Sequence, residues 1–165
     1  MNKLLAEFAG TFALVAVGTG AVALGGSVLV VALAFGAIVC GMILLFGKVS
    51  GAHLNPVVTI TFALHGKLDK REVAPYLLAQ CLGAAAGAWL VRLLNAEVVG
   101  LTLPRENLSV SAAFGIETAI TCILAYVILR APCLVGLSLP RIALLVGGAV
   151  GLNAYLFGPM TGASM

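Results

Sequence analysis

Charged residues are scarce in this chain. Of 165 residues, nine are Lys or Arg and six are Asp or Glu, so that 9% are charged, whereas a soluble domain carries about a quarter. Hydrophobic residues make up 62%, and the mean hydropathy is +1.17. Too few polar residues are present to cover a water-facing surface. The composition therefore excludes an ordinary soluble domain and indicates that most of the chain lies in lipid.

Other signals are also missing. The nine basic residues are scattered and form no stripe interleaved with aromatics, which argues against nucleic-acid binding. Three of the four cysteines lie in apolar runs, and none has metal or redox spacing, so we expect no disulfide framework, metal site or cofactor. The stretch Met1–Leu5 has one lysine and no cleavage site, which favours a retained span over a signal peptide.

The chain does contain long apolar runs. About 20 mostly apolar residues are needed to cross a bilayer core, and in lipid such a segment must pair its own backbone as a helix. The sequence thus predicts an all-α membrane protein. The five predicted spans are Leu4–Leu24, Val28–Gly47, Val73–Leu94, Val110–Leu129 and a short fifth, Ile142–Phe157.

Loop charges predict the orientation. With the N-terminus in the cytoplasm, seven basic residues fall on the cytoplasmic side and two on the other, as the positive-inside rule favours. The cytoplasmic set is Lys3, Lys48, Lys67, Lys70, Arg71, Arg130 and Arg141, and the opposite set is Arg92 and Arg105. An odd number of spans then places the end of this chain outside.

The segment 48–66 is too apolar for a water-exposed loop and too short to cross. Asn55 followed by Pro56 is typical of a helix start, and Gly66 of a stop. Pro56–His65 spans ten residues, or about 15 Å of helix, which is half of the ~30 Å hydrocarbon core. The segment by itself fits two structures equally: a re-entrant half-helix, or an amphipathic helix lying on the cytoplasmic membrane surface.

An internal repeat favours the re-entrant structure. The pattern Glu7-x-x-x-Thr11 returns as Glu117-x-x-x-Thr121, and 117 − 7 = 110. Further pairs follow in order: Ala32-Leu33 with Ala143-Leu144, Phe46-Gly47 with Phe157-Gly158, and Ser50-Gly51-Ala52 with Thr161-Gly162-Ala163. Three spans separate the copies, so the second is inverted, as in membrane proteins with a solute pathway. We predict one transmembrane domain over 1–165, with a first repeat at 1–95 and an incomplete second repeat at 109–165.

Four motifs carry a family resemblance over the whole chain. They are Ala6-Glu7-Phe8-x-Gly10-Thr11-Phe12, Ser50-Gly51-Ala52-His53-Leu54-Asn55-Pro56-Val57-Val58-Thr59, Tyr76-x-x-Ala79-Gln80-x-x-Gly83-Ala84, and Gly158-Pro159-x-Thr161-Gly162-Ala163-Ser164-Met165. With them the chain resembles the major intrinsic protein family of aquaporins and aquaglyceroporins. The resemblance implies an aquaporin-like inverted-repeat bundle in which the second Asn-Pro-Ala motif, its half-helix and the sixth span are missing after Met165. Val57 stands where the family usually has Ala.

The resemblance also implies site residues. Asn55, Pro56 and Val57 form the first pore motif, and Asn55 points an amide donor into the pore. Backbone carbonyls of Gly51, Ala52, His53, Ala163 and Ser164 form a ladder of acceptors for the solute. Glu7, Glu117, His53 and Gln80 brace the irregular loops. For the two glutamates, a position at the membrane interface remains an alternative.

Selectivity and assembly follow from the same resemblance. Phe35, Ala154 and Ala163 fall at the outer constriction. Two small residues there favour glycerol, ammonia or metalloid acids, whereas Phe35 favours water, which we place first. Other classes are a non-conducting remnant or assembly subunit, and an intramembrane enzyme using His53, Glu117 and Thr121, which the repeat symmetry does not favour. The expected partners are lipid and a homotetramer of this chain, in the plasma (inner) membrane.

Overall fold

The computed structural model describes residues 2–94, 102–135, 138–163 and 165, and these contain six helices. They are α1 (Lys3–Ala23), α2 (Val28–Phe46), α3 (Pro56–Leu64), α4 (Lys70–Leu94), α5 (Val110–Val135) and α6 (Leu139–Thr161). All except α3 are long and apolar enough to cross a membrane. The predicted all-helical fold class and the five spans are confirmed.

Four predicted span bounds are wrong by three residues or more, and the first is the start of α4, which begins at Lys70 and not at Val73. α5 continues past Leu129 to Val135, and α6 has 23 residues in place of the short Ile142–Phe157. Basic residues explain three of these errors, because Arg71, Arg130 and Arg141 suggested loops but lie within helices. Long basic side chains can extend from a helix end towards the polar interface while their stems remain in apolar surroundings, so an arginine near a helix end does not mark the end itself.

Glycines set the closest helix contacts. A Cβ atom on Gly83 of α4 would lie 2.4 Å from the Phe8 carbonyl oxygen of α1. A Cβ on Gly36 of α2 would lie 2.8 Å from the Gly147 oxygen of α6, and one on Gly147 would lie 2.6 Å from the Gly36 oxygen. Such backbone approach holds helices together in lipid, where the hydrophobic effect between spans is absent. Since 147 − 36 = 111, the reciprocal contact also reflects the internal repeat.

We expect Gly83→Ala to lower thermal stability in detergent. The new methyl group would meet the α1 backbone, which cannot give way as a flexible side chain could, and overpacking of this kind costs about 1–3 kcal/mol. Gly41→Ala is the matched control, because a Cβ there meets nothing within 4 Å. Equal melting temperatures for the two variants would contradict the close packing of α1 on α4.

The short helix α3 lies inside the bundle. It packs against α4 of the first repeat and α5 of the second, and Val58, Thr59 and Ala63 are buried. Its nine residues give a length of about 13 Å, one residue less than predicted. This packing is incompatible with the alternative of a helix lying flat on the cytoplasmic membrane surface, away from the bundle.

Candidate functional site

The Glu7 carboxylate organises the extended chain between α2 and α3. Glu7 is fully buried on α1. Four donors reach its two oxygens: Ser50 Oγ at 2.6 Å, His53 N at 3.0 Å, Leu54 N at 2.8 Å and Gln80 Nε2 at 2.7 Å. A non-helical segment leaves backbone N–H groups without intrahelical partners, and in lipid each must find one inside the protein. Glu7 supplies that partner for the His53 and Leu54 amides of this loop.

A second layer of polar side chains holds that loop. The Tyr76 hydroxyl donates to the Ser50 carbonyl at 2.9 Å. Thr59 Oγ1 accepts from Gln80 Nε2 at 2.9 Å, donates to the Asn55 carbonyl at 3.1 Å, and lies 3.2 Å from His53 Nδ1. Sequence reasoning assigned no role to Tyr76 or Thr59, although both stand within motifs that were recognised.

The loop needs this support because its backbone is strained. Ala52 and Leu54 have φ values of +48° and +53°, after Gly51 at +91°. A non-glycine residue in the left-handed region costs of order 1 kcal/mol or more and persists only where the surroundings impose it. Here the Leu54 amide donates to Glu7 Oε2 and the Ala52 amide donates to Ser50 Oγ, and these two hydrogen bonds impose the conformation.

The second repeat builds the same loop. Gly162, Ala163 and Met165 have φ values of +83°, +41° and +50°, and 165 − 54 = 111. The Met165 amide donates to Glu117 Oε2 at 2.8 Å, as Leu54 does to Glu7. Both glutamates that were predicted to brace the loops therefore accept a hydrogen bond from the equivalent backbone amide of their own repeat.

The two loops meet at the start of α3. Asn55 Nδ2 donates to the backbone oxygen of Met165, the last residue of the given sequence, at 2.5 Å, while Asn55 Oδ1 accepts from the Val57 amide at 2.8 Å and caps α3. An asparagine amide has two N–H donors. Within the part of the chain that the structure describes, Nδ2 bonds to Met165 alone, which leaves one N–H for a solute. The N-terminus of α3, which begins at Pro56, adds about half a positive charge at this point.

Two cavities lie between the first and the second repeat, and residues of both repeats line them. The first is about 80 Å³, enough for several water molecules, and the second is about 180 Å³. Phe35 lines both cavities, Ala163 the first and Ala154 the second. The first is also lined by Ala52, His53, Leu54, Asn55 and Met165.

Two residues predicted for the carbonyl ladder are not among those that line the cavities. Gly51 begins the extended segment and is exposed. Ser164 lies outside the described residues.

Fold and site together define a multi-span helical membrane protein built from an inverted repeat. The family described as "Major intrinsic protein" matches residues 1–165, and the chain belongs to that family. Among similar proteins, Aquaporin NIP1-4 of Oryza sativa subsp. japonica is 38% identical over all of this chain and 63% of its own length. Aquaporin Z of Rhodopseudomonas palustris is 34% identical over 87% of this chain and 72% of its own length.

Proteins named for glycerol are similar to this chain at comparable sequence identity. Glycerol uptake facilitator protein-like 6 of Lactiplantibacillus plantarum is 36% identical over 79% of this chain and 63% of its own length. The crystal structure of the aquaglyceroporin from Plasmodium falciparum superposes with a TM-score of 0.89 at 30% identity, covering 98% of this chain and 74% of that one. The chain spans less than two thirds of the length of two of these four relatives.

Proposed function

We propose that this chain forms the larger part of a passive membrane channel for water. The observation that carries the proposal is the contact of Asn55 with Met165, which brings the two loops together beside a cavity. A helix N-terminus directed at that cavity disfavours cations and protonated water. The free N–H of Asn55 would orient the oxygen of a passing molecule. Asn55, Pro56 and Val57 are the proposed pore motif.

The extended loops would supply the acceptors for the same molecule. Ala52 and His53 line the first cavity, as does Ala163 of the second loop. Carbonyl groups of such irregular backbone can replace solvation lost on entering the membrane. We include Gly51 and Ser164 in this ladder by family resemblance. The bracing role of Glu7, Glu117, His53 and Gln80 is to keep these carbonyls in place.

A wider channel for small neutral solutes is the second candidate. Ala154 and Ala163 are small, and Phe35 is the aromatic residue that lines both cavities. Pore diameter and the polar groups around it decide which solutes pass. Water remains our first choice, with glycerol, ammonia and metalloid acids as alternatives.

Stopped-flow light scattering of reconstituted vesicles tests the proposal. The 165-residue chain is compared with the same chain extended through a second Asn-Pro-Ala segment and sixth span taken from a relative. We expect the extended protein to accelerate osmotic shrinkage well above empty vesicles. Shrinkage and glycerol entry both at the empty-vesicle rate would contradict the channel.

We expect Ala154→His to separate the two substrates in the conducting protein. Ala154 lines the second cavity beside Phe35, so the larger imidazole would narrow that cavity. We expect glycerol flux to fall about tenfold, which corresponds to about 1.4 kcal/mol in the barrier to permeation. The effect on water flux should be smaller. Ala154→Ser, which adds one hydroxyl group, is the control. A glycerol rate equal in both variants would remove Ala154 from the constriction.

We expect Gly18→Ala to reduce flux by displacing Phe35. A Cβ on Gly18 would lie 2.1 Å from Phe35 Cε1, so the ring would have to move. Gly20→Ala is the matched control on the same helix, since its Cβ would meet only Val91 at 3.9 Å. Equal flux for both variants in the light-scattering assay would show that the position of Phe35 does not limit permeation.

Topology and assembly are proposals of the same kind. Family resemblance supports a homotetramer with one pore per subunit, in the plasma membrane and with a cytoplasmic N-terminus. The alternative of an intramembrane enzyme finds no support in the site, where the Glu117 carboxylate accepts the Met165 amide. We propose that the chain has no enzymatic activity.

A further inference from the structure

Asn153 is a buried amide in an otherwise apolar part of α6. Its side chain is 6% exposed, and burying an amide is unfavourable unless it is hydrogen-bonded. Asn153 Nδ2 donates to the Ile120 carbonyl of α5 at 3.4 Å and to Met165 Sδ at 3.3 Å. One side chain therefore links α5, α6 and the second loop.

Three parts of Met165 are held by three different residues. Its amide donates to Glu117, its carbonyl accepts from Asn55, and its sulfur accepts from Asn153. Methionine has a flexible side chain and its backbone here is left-handed, with φ +50°. Fixing the sulfur restricts the whole residue, including the carbonyl that orients Asn55.

The first repeat has no such amide at the equivalent place. By the offset of 111, Asn153 corresponds to Met42 and Met165 to Leu54. Leu54 is buried, and a Cβ on the neighbouring Gly10 would lie 2.4 Å from Leu54 Cδ2. The first loop is thus held at this point by apolar packing, and the second by a hydrogen bond. A buried amide at this place is therefore a feature of the second repeat alone.

We propose that Asn153 is a positioning residue for the Asn55 amide, acting through Met165. Its next neighbour, Ala154, lines the second cavity, so α6 presents a positioning residue and a cavity residue in succession. The effect of Asn153 on flux rests on the proposed channel function, whereas its effect on Asn55 does not.

A double-mutant cycle with Met165→Leu tests the flux effect in the conducting protein. Asn153→Leu keeps the side-chain size and removes the donor. We expect it to lower water flux about threefold, the equivalent of a typical interhelical hydrogen bond in a membrane. In the Met165→Leu background, which removes the sulfur, we expect little further change, because the two residues act as a pair. An equal loss in both backgrounds, or unchanged flux in Asn153→Leu, would overturn the proposal.

A second measurement does not depend on flux. In protein labelled with ¹⁵N at asparagine side chains, the Asn55 amide signal is assigned by its loss in Asn55→Asp and followed by solid-state NMR. We expect Asn153→Leu to shift that signal, and Leu152→Ala, at an exposed neighbour, to leave it in place. An unshifted signal in Asn153→Leu contradicts the proposal. A parent protein with empty-vesicle flux contradicts the channel function instead, and the NMR result then decides the role of Asn153.

Discussion

Glu7→Gln should abolish solute flux and destabilise the protein by about 3–5 kcal/mol. The four donors that reach Glu7 would face one carbonyl oxygen and one NH₂ group. Hydrogen bonds to a charged group contribute about 1.5–3 kcal/mol each, and a buried donor left unpaired costs about 1–3 kcal/mol. At least two bonds are lost, and the strained backbone at Ala52 and Leu54 loses its support.

Thermal unfolding in detergent and light scattering in vesicles measure the two effects. Glu72→Gln is the matched control, because Glu72 makes an exposed ion pair with Lys3 at 2.9 Å, and such pairs contribute at most about 1 kcal/mol. A Glu7→Gln protein with the stability and flux of the Glu72→Gln protein would show that the carboxylate does not hold the loop.

Asn55→Asp should reduce water flux about tenfold or more. The new carboxylate cannot donate to the Met165 carbonyl, and two oxygens would face each other where the structure has a hydrogen bond of 2.5 Å. An Asp at the α3 N-cap still accepts from the Val57 amide, so we expect the helix itself to persist. The negative charge would also offset the positive helix end, and we therefore expect a cation leak that the parent protein lacks.

Asn107→Asp makes the same change of charge at an exposed position and serves as the control. Osmotic light scattering gives the water flux, and a sodium-sensitive dye inside the vesicles reports the leak. Unchanged water flux in Asn55→Asp would remove that amide from the permeation mechanism, whatever the effect on cations.

The number and type of spanning helices could be predicted from the sequence because lipid leaves few alternatives to a continuous apolar helix. The ends of α5 and α6 could not. Arg130, Pro132 and Arg141 are typical of loops in water, yet all three lie inside helices in the structure. Near a helix end, a membrane protein can keep such residues helical while the polar groups extend towards the interface.

Only some of the site residues could be predicted from the sequence. Asn55 and the two glutamates were found because a cap before proline and a charge within a span each have a specific physical meaning. Thr59 and Asn153 were assigned no role, since a neutral polar residue in an apolar run has the same sequence signature whether it faces a helix, a loop or a cavity. Only the folded chain shows that Thr59 bonds to the first loop and Asn153 to the second.

The proposed pathway requires the two loops to meet within the bundle, and the distance from Asn55 to Met165 tests this directly. Protein labelled with ¹⁵N at asparagine side chains and ¹³C at methionine carbonyls is studied in lipid by dipolar-recoupling NMR. The hydrogen bond between Asn55 Nδ2 and the Met165 carbonyl predicts a strong coupling at about 3.5 Å between nitrogen and carbon, which Asn55→Asp removes. A parent spectrum without that coupling would place the loops apart and contradict the proposed pathway.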